Sequence, residues 1–218
     1  TDVKHLIRDP YAIYAKHILG LKRLDPLKKS PSAPLRGTVI HDILEAFIKA
    51  GPWRTAEQAK IKLLELSQTM LEDLVPWPTA RRMWQARVVR FADWFTKGEI
   101  LRQADLLSSH TEVWGKATVT DTDFTLVGKA DRVDVLHDGT ARIYDYKTGP
   151  LPSSAQQLHF DKQLLLEAEI LQQGGFEGLN VLQVAEATYI GVGNELKLAK
   201  APLGEDEVWV KFSKLIKS

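Results

Sequence analysis

The sequence predicts an α/β domain with a helical N-terminal part, and three observations carry that prediction. Apolar residues recur at helical spacing through the first half of the chain. Near Ser109 the period shortens to the alternation of strands. A further helix then separates a three-strand meander from a final strand pair, which is the alternation of an α/β layer structure.

The elements follow in order. Residues from Val3 to about Ile18 carry Leu6, Ile7, Ala12, Ile13 and Ile18, and the Pro10-Tyr11 step divides them into two short helices. A loop rich in Pro, Ser and Lys runs from Asp25 to Pro34. From Arg36 to Ala50, Val39, Ile40, Ile43, Leu44 and Phe47 fall at helical spacing, and Gly51-Pro52 stops the helix. Thr55 caps a helix reaching about Leu74; after Pro76-Trp77-Pro78, Thr79 caps a long one through Met83, Val88, Phe91 and Phe95. Strands are expected over His110–Thr120 and Phe124–Leu136, with Asp121-Thr122-Asp123 as their turn, and over Ala141–Lys147 after Asp138-Gly139. Ser153-Ser154 opens a helix to about Gln173. Strands follow at Val181–Ile190 and Glu195–Ala199, and a last helix starts at Glu205. The whole of 1–218 reads as one domain, mainly helical over 1–108 and α/β over 109–218.

Composition narrows the chemistry. The 218 residues are 44% hydrophobic and 26% charged, ordinary for a globular protein. Lys+Arg 29 against Asp+Glu 28 gives net charge +1, so a polyanion site has to come from local clustering. The absence of cysteine excludes disulfides, thiolate zinc sites, cysteine nucleophiles and cysteine-held iron–sulfur clusters within this chain. No apolar run approaches the ~18 residues of a membrane span, and no secretory signal opens the sequence, so a cytoplasmic location is expected. A start at Thr1 without Met reads as a piece of a longer chain.

The informative stretch is Gly128-Lys129-Ala130-Asp131, followed by Asp145-Tyr146-Lys147-Thr148-Gly149. Asp145 and Lys147, two apart on a strand, share a face; alone they are compatible with a surface ion pair. If the preceding turn has an odd number of loop residues, such as Asp138-Gly139-Thr140, then Val133 faces Asp145 and Asp131 faces Lys147. Two carboxylates beside a lysine suit a hard cation such as Mg²⁺ or Mn²⁺ and the outline of a phosphodiester-hydrolysing site. His41 within the Arg36–Ala50 helix reads equally as a hydrogen-bonded residue of a part-buried face. Gln163 and Glu167, four apart on a helix, face the same way, as a solvated stripe also would.

Taken in order, Arg36-Gly37-Thr38-Val39-Ile40-His41, Gly128-Lys129-Ala130-Asp131, Asp145-Tyr146-Lys147-Thr148-Gly149 and Gln163-Leu164-Leu165-Leu166-Glu167 resemble the RecB-like branch of the PD-(D/E)XK nuclease superfamily. The N-terminal Leu6-Ile7-Arg8-Asp9-Pro10-Tyr11 and Ile18-Leu19-Gly20-Leu21 are similar to the start of the C-terminal nuclease domains of AddB subunits of AddAB helicase–nucleases. The resemblance implies a restriction-endonuclease-like core: a mixed sheet flanked by helices. It implies that His41, Asp131, Asp145 and the backbone carbonyl of Tyr146 ligate Mg²⁺ or Mn²⁺. Lys147 would position or activate the attacking water, and Gln163 would support the lysine or contact nucleic acid. The implied function is a DNA exonuclease without strong sequence preference, acting on a single strand of a resected duplex end in recombinational repair. The implied partner is an AddA-like subunit.

Two departures from that pattern stand out. Asp9 occupies a position where relatives with an iron–sulfur cluster carry cysteine, and Glu167 occupies one where many carry tyrosine, which leaves its role as outer-shell acid or structural group open. Alternative readings are a stand-alone RecB-like exonuclease, an inactive nuclease fold kept as a DNA-binding scaffold, and an unrelated α/β interaction domain. Arg81, Arg82, Arg87 and Arg90, interleaved with Trp84 and Trp94, are candidate nucleic-acid contacts or a solvated basic face.

Overall fold

The structure is a computed structural model that describes residues 2–21, 30–119, 124–181 and 183–203. The element order is α1 (Asp2–Arg8), α2 (Pro10–Ile13), a π-helical turn (Tyr14–Ile18), α3 (Ala33–Lys49), α4 (Ala56–Leu74), α5 (Pro78–Arg102), β1 (Leu106–Thr118), β2 (Thr125–Leu136), β3 (Ala141–Lys147), α6 (Ser154–His159), α7 (Gln163–Gln172), β4 (Val184–Gly191) and β5 (Leu198–Lys200). The strands form one mixed sheet in the order β1-β2-β3-β4-β5. β3 and β4 are parallel and the other neighbours antiparallel, so α6 and α7 make the crossover between the parallel pair.

Alternation along the central strands divides the core into two layers. Ala141 and Ile143 of β3 with Ala187 and Tyr189 of β4 pack under α7, which is buried on nearly all sides through Leu164, Leu165, Leu166, Ala168, Ile170 and Leu171. Tyr144, Tyr146, Ile190 and Val192 face the other way. There α3 (Ile40, Ile43, Leu44, Phe47) and α5 (Trp84, Val88, Phe91, Phe95) cover them with apolar stripes at spacings of three and four. The expected α/β architecture with a mixed sheet between helices is the one observed.

Several boundaries differ from expectation, each for a local reason. α3 starts at Ala33 because Ser32 caps it, its side chain accepting the Leu35 N–H at 3.3 Å, and Pro34 sits in the first turn, where a missing N–H costs nothing. α5 starts at Pro78 for the same reason; Thr79 lies inside the helix, and Trp77 gives no side-chain cap. β1 begins at Leu106, before the expected change of period. The single helix expected after Ser153 is two. Ser153 and Gln156 form a capping box for α6, the chain breaks at Phe160, and α7 starts at Gln163. In the break, Asp161 pairs with Lys4 of α1 at 2.9 Å, which ties the N-terminal helices to the crossover. The last strands run Val184–Gly191 and Leu198–Lys200. The Asp121-Thr122-Asp123 turn, much of the Asp25–Pro34 loop and the helix from Glu205 lie outside the described residues.

One polar cluster sits inside the α5 layer. The Arg132 guanidinium makes two hydrogen bonds to Glu99 of α5 (both 2.8 Å) and two to Asp134 (2.6 and 2.7 Å), and all three residues are buried. Arg102 donates to Glu99 at 3.0 Å and Ser109 to Asp134 at 2.6 Å, so the cluster joins α5, β2 and β1. Burial pushes the Glu99 carboxyl up, but Arg132 and Arg102 outweigh it and hold its pKa below the usual glutamate value. Glu99 therefore stabilises the fold above the ordinary glutamate pKa of about 4.3, and that contribution is lost as pH falls through its native value. Arg132→Met leaves Asp134 buried without its cation and Glu99 with Arg102 alone, and is expected to cost about 3–5 kcal/mol. Urea unfolding at neutral pH checks this through the transition midpoint, and a loss below about 1 kcal/mol contradicts the cluster's role.

Candidate active site

The centre lies where the sheet parts. β2 pairs with β3 only from Arg132↔Tyr144 to Val135↔Ala141, while β2 continues along β1 to Thr125 and β3 continues along β4 to Lys147. Asp131 is the first β2 residue inside the split. Its Oδ2 accepts the backbone N–H of Tyr146 at 2.9 Å, so a side chain replaces the missing strand partner.

The hairpin loop has an odd number of residues, as the convergence of Asp131 and Asp145 requires, but it is placed one residue earlier than expected. It is His137-Asp138-Gly139, closed by Leu136 N–H on the Thr140 carbonyl at 2.9 Å, with Gly139 at φ 83°, a left-handed turn position suited to glycine. Val133 therefore lies opposite Ile143 rather than Asp145. Extending the ladder sets Asp131 level with Asp145 instead of Lys147. A shift of two residues preserves side-chain parity, so the acids still converge.

Two linked groups of side chains occupy the split. In the first, His41 Nδ1 of α3 lies 3.3 Å from Asp131 Oδ2, and one donor atom from each of His41, Glu112 and Asp131 lies within 4.8 Å of the others. In the second, Lys147 Nζ is 2.8 Å from Asp145 Oδ2 and donates to Gln163 Oε1 at 3.1 Å. The Gln163 amide donates in turn to Asp145 Oδ1 (2.6 Å) and Glu167 Oε1 (3.2 Å). Both Gln163 amide hydrogens and its oxygen are thereby engaged, which fixes its orientation. The Lys147 ammonium also lies 5.3 Å from the centroid of the Tyr189 ring.

Glu112 is the site residue that sequence reasoning missed. It stands on β1 directly across from Asp131, between the pairs Thr111↔Arg132 and Val113↔Ala130, and its backbone has φ 55°, unusual for a residue other than glycine. Such a conformation costs on the order of 1–3 kcal/mol and is held only by its surroundings. Its carboxylate also pairs with Lys129. The available signal was register: the parity argument used between β2 and β3 applies equally between β1 and β2.

The electrostatics separate the acids. Burial pushes the Asp131 carboxyl up, but His41 and the Tyr146 N–H outweigh it and keep it below the usual range. Burial and the Asp131 charge raise Asp145 to about 6 despite Lys147. Glu167 is buried beside Asp145 and is pushed well above the usual value, which favours its neutral acid form. Burial works against the charged forms of His41 and Lys147, but the acids outweigh it and raise both pKa values. One oxygen of Glu167 is buried without a hydrogen-bond partner.

Crowded carboxylates, one imidazole and no thiol form a donor set that fits a hard divalent cation. The arginines expected to contact nucleic acid do not act as one group. Arg81 and Arg82 line a groove between α4 and α5, whereas Arg87 and Arg90 bond to Asn194 and Gly193 beyond β4.

A mixed sheet whose middle strands part around acids, an imidazole and a lysine has the architecture of a restriction-endonuclease-like nuclease. The chain belongs to the PD-(D/E)XK nuclease superfamily, whose family model matches residues 1–216. Among curated proteins it is similar to an uncharacterized protein of Rickettsia conorii, 27% identical over 195 residues, with 84% of this chain and 23% of that one covered. It is likewise similar to one of Rickettsia typhi, 26% identical over 204 residues, covering 89% and 24%. The chain thus spans about a quarter of the length of these relatives. Among solved structures it is similar to that of SSO0001, at 11% identity and TM-score 0.36, covering 85% of this chain and 84% of the other.

Cation binding at this centre is expected to displace protons from His41 and Asp145, so Mn²⁺ affinity should fall as pH drops through about 6. Calorimetric titration near pH 6 in buffers of different ionisation enthalpy should report proton release; proton uptake contradicts the assignment. Glu112→Gln should weaken Mn²⁺ binding at least as much as loss of an outer-shell partner, about 10-fold or more.

Proposed function

We propose that this protein is a Mg²⁺- or Mn²⁺-dependent deoxyribonuclease that hydrolyses phosphodiester bonds without strong sequence preference. The observation that carries the reading is the meeting of His41, Glu112 and Asp131 beside an Asp145–Lys147–Gln163 network in the parted sheet. His41, Glu112 and Asp131 would hold the cation, with Asp145 and the Tyr146 carbonyl completing its surroundings. When bound, such an ion lowers the pKa of a coordinated water and neutralises charge on a phosphate oxygen.

The chain's own residues do the rest. The acids raise the Lys147 pKa, so Lys147 enters the reaction as an ammonium. It serves as a hydrogen-bond donor and positive charge that orients the attacking water and stabilises the negative charge developing on the phosphoryl group. Gln163 holds Lys147 and Asp145 in register through its fully used amide. Glu167 accepts the second Gln163 amide hydrogen and acts through Gln163 as a positioning group. In the cell the substrate is a single strand of a resected duplex end, cut exonucleolytically by a cytoplasmic complex with an AddA-like helicase–nuclease partner. The AddB-like N-terminal motif and the greater length of the Rickettsia relatives support this placement. No helix among the described residues is long and apolar enough to cross a membrane.

Incubation with end-labelled single-stranded DNA and Mn²⁺ tests the reading. Wild type should cut, chelation should stop it, and Asp145→Ala and Lys147→Ala should bind the strand without cutting. Cleavage that survives both substitutions removes the assignment. Gln163→Ala should lower metal affinity or cleavage by about 10–100-fold, the range for groups that orient others at a metal site.

A further inference from the structure

Arg87 and Arg90 lie six and nine residues beyond Arg81 on α5 and turn toward the ends of the parallel strands. Arg90 Nη2 donates to the Gly193 carbonyl at 2.6 Å, and Arg87 Nη1 lies 3.3 Å from Asn194 Oδ1. The Gly193–Asn194 segment in turn packs against the residues following Lys147. A Cβ on Gly193 would stand 2.5 Å from the Thr148 carbonyl oxygen. From the other side α3 reaches the same place, where a Cβ on Gly37 would meet Thr148 Oγ1 at 3.4 Å. Gly37 follows Arg36, whose charge, with that of Arg90, is felt at Arg87, so the three guanidiniums form one cluster.

Three features of this cluster suit it to an anion. Arg102, Arg132 and Arg142 pair with acids, but no carboxylate among the described residues pairs with Arg36, Arg87 or Arg90. The Arg36 Nε, like that of Arg81, is buried without a hydrogen-bond partner, but only Arg36 has it beside two further guanidiniums at the strand ends. The charges also feel one another: burial, then Arg36 and Arg90, lower the Arg87 pKa. Like charges brought together without a counterion favour any anion that enters between them. The cluster sits at the carboxyl ends of β3 and β4, one residue past Lys147, where parallel strands place ligands.

We propose that Arg36, Arg87 and Arg90 form a phosphodiester subsite that grips the nucleic-acid backbone beside the bond being cut. Guanidinium forks match phosphate oxygens two at a time and carry no base preference, so the subsite would anchor any sequence. It deepens the nuclease reading and rests on it for the identity of the polymer. Arg81 and Arg82, in the groove beside Gln68 and Glu72, lie outside this subsite.

The salt dependence of binding to an end-labelled single-stranded oligonucleotide of mixed sequence, read by fluorescence anisotropy, tests the proposal. Each lost phosphate contact should flatten the slope of log affinity against log salt by about 0.7, and the triple Arg36→Gln, Arg87→Gln, Arg90→Gln variant should flatten it by about 2. Arg36→Gln is the decisive single change because no hydrogen bond or ion pair ties the Arg36 side chain to the described residues and its backbone bond to Ser32 survives the substitution, so the fold stays intact even if the triple variant does not fold. Arg36→Lys should keep most of the slope. An unchanged slope in Arg36→Gln, or an equal flattening from Arg81→Gln with Arg82→Gln, overturns the subsite, as does a wild type that binds no strand. A wild type that binds with the expected slope but never cuts removes the nuclease reading and leaves the subsite standing.

Discussion

A single carboxylate stands where the middle strands separate. Asp131 Oδ2 takes the Tyr146 N–H that would otherwise bond to a neighbouring strand, and the same oxygen lies 3.3 Å from the His41 ring. Because that bond is made by a side chain, β2 and β3 diverge without leaving the amide unsatisfied, and the opening admits groups from β1, α3 and α7. One residue along β2, Arg132 points to the opposite layer and is fixed there by four hydrogen bonds to Glu99 and Asp134. The strand is thus clamped from behind at the point where it must hold a charged group in front.

The two groups of polar residues in the split have different characters. Asp131 stays ionised beside an imidazole, whereas Asp145 and Glu167 are buried together and pushed toward protonation. Gln163, whose amide donates to both, is the neutral spacer that keeps three nearby carboxylates compatible. In the first group Lys129 offsets the Glu112 charge.

Much of this was legible in the sequence because the decisive signals were local. The Thr55 cap, the Ser153 cap and the alternating β3 segment appear as read, and the odd hairpin loop brought Asp131 and Asp145 together as the argument required. What was not legible depended on tertiary detail. The turn could close at Asp138-Gly139-Thr140 or one residue earlier, and only the Leu136–Thr140 bond decides it. Glu112 carries no motif of its own and gains its place from a distorted backbone opposite Asp131. Arg36 stands inside the helix motif of His41, but the charges it joins, Arg87 and Arg90, lie on another helix far along the chain. Helix starts at Ser32 and Trp77 were set by prolines that tolerate a first turn, a choice that spacing of apolar residues cannot make.

Helix α3 carries Arg36 and His41 on one continuous rod, five residues or about 7.5 Å apart along its axis. A rod of that kind behaves as a ruler. Whatever moves it lengthwise displaces the guanidinium and the imidazole by equal steps, so tension applied through one end is felt at the other without any intervening relay.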